Sequence, residues 1–259
     1  MARSWPPTTP ASSGPEWPAH SGGADRSAPA FLLMHGAATT GAIWAGVRAQ
    51  LGSELVVAPN RPSSGDLDRE LAALRAAAAE AARAGGESGP HPVVFGGVSG
   101  GATLGLAALA AGVPLGAAVM HEPAVGSLVP GLLAPMAAAF AEGGVPAFGR
   151  TLYGPRWQLT DAPVDPGAVA RDLAMFVRFE PTAPRPTPGP VIVTVGERSP
   201  EVRHRAAEAL RRELGFQVRV LAGCGHAVHL EAPGAFAAVL VEVAATLARA
   251  TGTPNQTPG

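Results

Sequence analysis

The feature that most constrains the fold is a series of short apolar segments, bordered by Gly or Pro, that alternate with longer helical patterns. Short and almost continuous apolar segments are typical of strands that are buried on both faces. Six segments predict strands at 30–36, 54–60, 91–97, 115–122, 189–197 and 216–223. Helices are predicted at 66–84, 100–111, 200–214 and 232–250. This alternation predicts an α/β fold with a mostly parallel sheet and helices on both faces.

One part of the chain interrupts the alternation. Between Pro123 and about Pro188 there are helical pieces with frequent Pro and no strand pattern. A long helical excursion that leaves one strand end and returns before the next strand predicts a lid over a site. The alternative is two ordinary crossover helices with loops. The sequence predicts a disordered leader at 1–28 and an α/β core in two parts, at 29–123 and 187–250. It further predicts a helical lid at 124–186 and a disordered tail at 251–259.

Composition excludes several classes of protein. The formal net charge is −1 and 15% of residues are charged, so no basic surface for nucleic acid is expected. The single cysteine, Cys224, cannot form an intramolecular disulfide and offers no cysteine-rich metal site. We therefore expect neither a metal nor another cofactor. No run reaches 18 consecutive apolar residues and the leader has no apolar signal-peptide region, which predicts a cytoplasmic protein without a membrane partner.

The segment Gly97-Val98-Ser99-Gly100-Gly101 matches the pattern G-x-S-x-G. The pattern is weak by itself, because the chain contains 33 glycines. Its position is more informative, since Ser99 falls where a predicted strand ends and a predicted helix begins. Glycines at 97 and 101 leave room for a strained turn, and the following helix directs free N–H groups at the site. Ser99 is therefore a candidate nucleophile.

A serine hydroxyl needs a general base and donors for the developing oxyanion. His226 lies in the loop between the last predicted strand and the last helix, at the same sheet edge as Ser99, whereas His229 lies about one turn later and is predicted to be structural. The amide of Gly100 is one candidate oxyanion donor. The other is expected from the loop after the first strand, at Gly36 or Ala37.

Together these features, in this order, resemble the α/β-hydrolase fold superfamily. The resemblance covers residues 30–250 and lacks only the usual N-terminal hairpin. Within that superfamily, four segments are similar to the zearalenone-lactonase group of lactone hydrolases: VFGGVSGGAT, AAVMHEPA, VIVTVGERSP and LAGCGHAVHLEAPGAFA. The resemblance implies a serine hydrolase that acts on a carboxylic ester or a lactone.

The acid that orients the histidine departs from the common pattern. The resemblance implies an Asp in the turn after the penultimate strand, but Ser199 stands there. Glu122 is the preferred substitute, because it follows the strand next to the nucleophile and the lactonase group has a glutamate in a similar His-Glu context. Glu197 and Glu201 are the alternatives for the carboxylate partner of His226.

The predicted substrate is a small apolar or aromatic molecule, with Trp157, Tyr153 and Val98 as candidate contacts. Thioesterases and C–C hydrolases need the same three catalytic groups and remain alternatives. A non-catalytic small-molecule binding protein is a further alternative, because position 199 lacks the carboxylate. A dinucleotide-binding oxidoreductase fits poorly, since a G-x-G-x-x-G pattern that begins at Gly96 would need glycine where Val98 stands.

Overall fold

A computed structural model describes residues 28–52, 55–84 and 90–251 of the chain. The predicted disordered leader and tail therefore lie, apart from Ala28 and Thr251, outside the described residues.

The described chain forms a sheet of six strands, all parallel, in the order β2-β1-β3-β4-β5-β6. The strands are β1 Ala30–Met34, β2 Val56–Val57, β3 Val93–Val98, β4 Ala117–His121, β5 Val191–Gly196 and β6 Gln217–Leu221. Each lies within or close to a predicted segment, and the predicted parallel α/β architecture is confirmed. The second strand is the shortest, because only Val56 and Val57 pair with β1.

Eight α-helices accompany the sheet in the described residues. They are α1 Ala45–Leu51, α2 Leu67–Arg83, α3 Gly100–Ala110, α4 Ala134–Tyr153, α5 Ala168–Val177, α6 Glu201–Leu214, α7 Val228–Glu231 and α8 Pro233–Thr251. The predicted helices correspond to α2, α3, α6 and α8, with ends that differ by one residue. The short helices α1 and α7 were not predicted.

Side chains on successive strand positions enter two separate cores, as the alternation of a pleated strand requires. In β1, Leu32 and Met34 are buried in the core beneath α2 and α3, whereas Phe31 and Leu33 belong to the core beneath α1 and α8. Helices therefore cover both faces of the sheet. The carboxyl ends of all six strands meet at one edge, where an α/β sheet binds its ligand.

Helix α8 is the most apolar long helix of the described residues. With 19 residues and a mean hydropathy of 1.4, it is long and apolar enough to cross a membrane by these measures alone. It contains no uninterrupted run of 18 apolar residues, because Glu242 and Arg249 lie within it. Phe236, Leu240 and Leu247 of α8 are fully buried against the sheet, so a core helix accounts for its composition.

The chain between β4 and β5, which is fully described, contains helices and no strand. We call residues 124–186 the helical insertion. Its longest helix, α4, is interrupted at Gly143 and Gly144, where the backbone leaves helical geometry and φ reaches 61° at Gly144. Helix α5 packs against both α3 and α4, which places the insertion above the carboxyl edge of the sheet. Its action as a lid stays a prediction.

Candidate active site

Ser99 occupies the sharp turn between β3 and α3. Its backbone has φ 56° and ψ −120°, a conformation that L-residues rarely adopt and that surrounding packing must enforce. The flanking glycines are required by close approach of the main chain. A Cβ atom at Gly101 would lie 2.0 Å from the Met34 carbonyl oxygen, and one at Gly97 would lie 2.8 Å from the Ala102 nitrogen. The structure thus presents a half-buried Ser99 at a strained strand-to-helix elbow.

Glu122 and His226 are in direct contact. The Nδ1 atom of His226 lies 2.7 Å from Oε2 of Glu122, and both side chains are buried. A carboxylate accepts hydrogen bonds, so Nδ1 carries the proton and Nε2 is left with a free lone pair. Within the described residues, Nε2 of His226 has no hydrogen-bond partner. The imidazole is therefore oriented by an acid and is available to accept a proton.

Three further groups hold the Glu122 carboxylate. The Gly196 amide donates to Oε1 at 2.9 Å, and the Ser199 hydroxyl donates to the same oxygen at 2.5 Å. The Nε atom of Arg203 lies 3.7 Å from Oε2. The serine at position 199 thus donates a hydrogen bond to the carboxylate that contacts His226. Sequence reasoning missed Arg203, which carries no recognisable motif on α6.

The electrostatics of the pair favour an ionised carboxylate and a neutral imidazole. Burial by itself raises the pKa of Glu122, but the hydrogen bond from His226 and the electrostatic contributions of His226, His121 and Arg203 outweigh it and hold that pKa well below its usual range. Burial lowers the pKa of His226, and the Arg203 charge lowers it further, against the opposing effect of Glu122. His226 is consequently neutral at pH 7, as a general base must be.

The alternative acids lie elsewhere. Glu197 is exposed, and its carboxylate accepts a hydrogen bond from the Gly223 amide at 2.8 Å. Glu201 is exposed at the first turn of α6. Of the three glutamates considered, the structure brings only Glu122 to His226.

A buried arginine fixes the loop that follows β1. Arg61 donates from Nε to the His35 carbonyl oxygen at 3.0 Å and from Nη2 to the Gly36 carbonyl oxygen at 3.2 Å. Because the Gly36 carbonyl points at Arg61, the Ala37 N–H of the same trans peptide points in the opposite direction. The Ala37 nitrogen lies 3.3 Å from where a Cβ of Gly100 would be. The Gly100 amide is the first of α3 and has no intrahelical acceptor, so the two amides form a candidate oxyanion pair.

Arg61 is itself held by two buried carboxylates, Asp172 of α5 and Glu70 of α2. Its amide donates to Nε2 of His35 at 3.0 Å, so the His35 proton lies on Nδ1 and is donated to the Gly36 carbonyl oxygen at 2.9 Å. Burial and the Arg61 charge lower the pKa of His35 to about 3. This network ties the candidate oxyanion loop to the helical insertion.

His121 supports the other side of the site. Its Nε2 donates to the Gly225 carbonyl oxygen at 3.2 Å, and Nδ1 accepts from the Thr194 hydroxyl at 3.0 Å. Burial, partly opposed by Glu122, lowers the pKa of His121 to about 4. The neutral ring thereby anchors the residue that precedes His226.

Tyr153 of α4 reaches into the site. Its hydroxyl donates to the Ala37 carbonyl oxygen at 2.7 Å, and both this hydroxyl and the Ser99 side chain lie against Gly36. Its ring is centred 5.8 Å from the His226 ring and 5.6 Å from the His229 ring. The structure brings Ser99 close to Tyr153 and does not show a hydrogen bond between Ser99 and His226.

The other two candidate substrate contacts are placed away from the cavity beside Ser99. Trp157 is 4% exposed, donates from Nε1 to the Ala38 carbonyl oxygen at 2.8 Å and packs on Gly149. The Val98 side chain is buried in the core beneath α1 and α8, on the opposite side of the sheet from α3. His229 is buried and its ring is centred 5.7 Å from the Trp44 ring, as the structural interpretation of this histidine requires.

A small cavity adjoins the nucleophile. It has a volume of about 20 Å³, room for about one water molecule, and is lined by Ser99, Gly100, Glu122, Arg203 and residues of the insertion. Among the described residues, no three His, Cys, Asp or Glu side chains are grouped as metal ligands. The chemistry that the site offers is therefore a serine, an oriented imidazole and two backbone amides.

Comparison with known proteins places this geometry in a family. The model of the alpha/beta hydrolase family matches residues 31–239, and the chain belongs to that family. No curated protein matches the sequence significantly.

Solved structures share the fold. An alpha/beta hydrolase from Sphaerobacter thermophilus is 26% identical with a TM-score of 0.53, covering 83% of this chain and 92% of that one. A proline iminopeptidase-related protein from Thermus thermophilus is 21% identical with a TM-score of 0.60, covering 87% and 92%. MenH from S. aureus is 12% identical with a TM-score of 0.61, covering 85% and 94%. The last two similarities concern the fold alone.

Proposed function

We propose that this protein is a serine hydrolase that cleaves a carboxylic ester or a lactone through Ser99, His226 and Glu122. The observation that carries the proposal is the 2.7 Å contact between His226 Nδ1 and Glu122 Oε2, which leaves Nε2 unpartnered beside a strained serine elbow. A base that activates a hydroxyl needs an imidazole that is oriented by an acid and a second ring nitrogen that is free to accept a proton, and this contact provides both. A buried serine, histidine and glutamate with only structural roles would not need the strained backbone at Ser99.

In the proposed reaction, the Ser99 oxygen attacks the substrate carbonyl carbon while His226 Nε2 takes the hydroxyl proton. Glu122 stabilises the resulting imidazolium, and the Ala37 and Gly100 amides stabilise the tetrahedral oxyanion. Collapse of the intermediate breaks the bond to the leaving oxygen, which receives the proton from His226. Water, activated by the same imidazole, then hydrolyses the acyl-enzyme and regenerates Ser99. For a lactone, the leaving alcohol stays attached and the product is a hydroxy acid.

The substrate proposed here is a small apolar or aromatic ester or lactone, of which a zearalenone-type lactone is one instance, and the protein is proposed to act in the cytoplasm. The apolar residues of the insertion around the site, including Leu133, Met136 and Phe176, support an apolar substrate. The resemblance of the four sequence segments to lactone hydrolases supports the lactone.

The test is hydrolysis of p-nitrophenyl esters and of a resorcylic acid lactone by the wild type, Ser99→Ala, Glu122→Gln and the control Glu197→Gln. We expect Ser99→Ala and Glu122→Gln to lower kcat by about 10³-fold or more, and Glu197→Gln to lie within about twofold of the wild type. A fluorophosphonate should label Ser99 in the wild type. If the wild type shows neither turnover nor labelling, the protein is instead a small-molecule binding protein with the hydrolase fold.

A further inference from the structure

A second cavity lies next to the one at Ser99 and consists entirely of apolar residues. It has a volume of about 200 Å³ and is lined by eleven Gly, Ala, Val, Leu and Phe residues from the chain after β4, from α4 and from α5. We call it the apolar chamber. No polar or charged side chain lines it within the described residues, so its side chains favour an uncharged hydrocarbon group.

The two cavities share part of their walls. Ala124, Leu133 and Phe176 line both the apolar chamber and the cavity beside Ser99. The Phe176 ring lies directly against the first residue of α3, because a Cβ at Gly100 would be 2.5 Å from Cε2 of that ring. The same ring is centred 5.7 Å from the Arg61 guanidinium carbon. Phe176 therefore forms part of the wall that the chamber shares with the cavity beside the nucleophile.

The position of the chamber indicates which part of an ester it can hold, the acyl part or the alcohol part. The leaving alcohol must lie near His226, which returns the proton to it. None of residues 222–230, the loop that carries His226, lines either cavity. The chamber instead begins at Phe176, whose ring lies against Gly100, on the side of the candidate oxyanion amides. An acyl chain whose carbonyl oxygen is bound by those amides would extend into it.

We propose that the apolar chamber is the binding site for the acyl chain of the substrate, and that Phe176 sets how far this chain extends. The proposal rests on the proposed hydrolase function and deepens it. Since a water molecule occupies about 30 Å³ in the liquid, 200 Å³ accommodates about six or seven chain atoms. The substrate class is therefore an ester or lactone with an aliphatic acyl part of about six carbons.

The experiment measures kcat/KM for p-nitrophenyl esters from acetate to decanoate, in which the leaving group is constant. A second series of acetates varies the alcohol instead. In the wild type, kcat/KM should rise about fourfold for each added methylene until the chain reaches about six carbons, and then level off. The alcohol series should show no such rise.

The matched variants are Ala137→Phe and Ala138→Phe, on adjacent positions of α4. Ala137 is half-buried and lines the chamber, whereas Ala138 is exposed and does not. Ala137→Phe should stop the rise after two or three carbons. Ala138→Phe should behave as the wild type. Phe176→Ala, which enlarges the space shared by the two cavities, should extend the preferred chain beyond six carbons, and it tests the proposal if Ala137→Phe fails to fold.

The outcomes separate the two proposals. If a fluorophosphonate labels Ser99 but the acyl series is flat, or if Ala137→Phe changes the alcohol series instead, the acyl site is refuted and the hydrolase function stands. If neither labelling nor hydrolysis of any ester occurs, the hydrolase function fails first. A chain-length limit that Ala137→Phe shortens and Phe176→Ala lengthens supports the chamber as the acyl site.

Discussion

Replacing Ser199 by Asp is the sharpest test of the acid. The substitution introduces a carboxylate at the position where the resemblance to other hydrolases implies one. In this structure, however, the Ser199 hydroxyl donates to Glu122 Oε1 at 2.5 Å, so a carboxylate there would face a second carboxylate. Two unit charges about 4 Å apart repel by about 4 kcal/mol at an effective dielectric constant of 20. The hydrogen bond to the charged acid, worth about 1.5–3 kcal/mol, is also lost.

We therefore expect the repulsion alone to make Ser199→Asp lower the free energy of unfolding by about 4 kcal/mol near pH 8, and the variant to have a reduced kcat. Repulsion raises the pKa of the pair in the folded protein, so the folded state keeps a proton that the unfolded chain releases above about pH 4. The stability deficit should hence grow as the pH rises from 5 to 8. Urea unfolding of the wild type and the variant at several pH values measures it.

A second substitution provides the control. Glu122→Gln together with Ser199→Asp removes the like-charge contact, and the double variant should recover most of the stability lost by Ser199→Asp. The reasoning is refuted if Ser199→Asp alone is as stable and as active as the wild type at pH 8. That result would mean that Glu122 is not the ionised partner of His226.

Three further predictions follow from the buried charges. Arg203→Gln should move the acid limb of the kcat/KM profile to higher pH, since the Arg203 charge and burial together lower the pKa of His226. Arg205→Gln, at an exposed position, should leave the profile unchanged. An unmoved acid limb in Arg203→Gln would contradict the assignment of His226 as the general base. Arg61→Lys should lower kcat about 10–100-fold with little change in KM, because an ammonium cannot bind two carbonyls and two carboxylates together. A comparable rise in KM would indicate that Arg61 acts on substrate binding instead. Acid should destabilise the fold below pH 6.5, because His121 takes up a proton there in the unfolded chain but, with its pKa lowered to about 4, stays neutral when buried in the fold. This residue alone accounts for about 3 kcal/mol of stability lost by pH 4. A free energy of unfolding that does not change between pH 7 and 4.5 would contradict this contribution of His121.

The sequence predicts the sheet well because its strands are buried on both faces, which makes each an apolar segment that stands out in the chain. The same argument places Ser99 at a strand end, since a glycine-rich turn follows β3 directly. Helix α1 was missed because its seven residues are too few to show a helical period clearly.

The parts of the candidate site that the sequence does not predict are those in which a charge is buried by tertiary contacts. Arg61 lies in a loop and Arg203 on a helix, among 19 basic residues with no motif around either. Their significance comes from partners distant in the chain, Asp172 for Arg61 and Glu122 for Arg203. The aromatic residues of the insertion are a similar case. Tyr153 and Trp157 both carry a polar atom that bonds the loop after β1, which their position in the sequence does not indicate.

The parallel sheet explains why Glu122, which follows β4, lies close to the turn after β5 and can contact His226. The two strands are adjacent, with His121 paired to Thr194, so their carboxyl ends lie side by side at the site. The Glu122 backbone then turns to φ 50°, and its carboxylate accepts a hydrogen bond from the Gly196 amide at the end of β5. The turn after β5, which in the common pattern would carry the acid, here donates the Gly196 amide and the Ser199 hydroxyl to it. The acid that follows β4 and the donors that follow β5 therefore meet at the carboxylate that contacts His226.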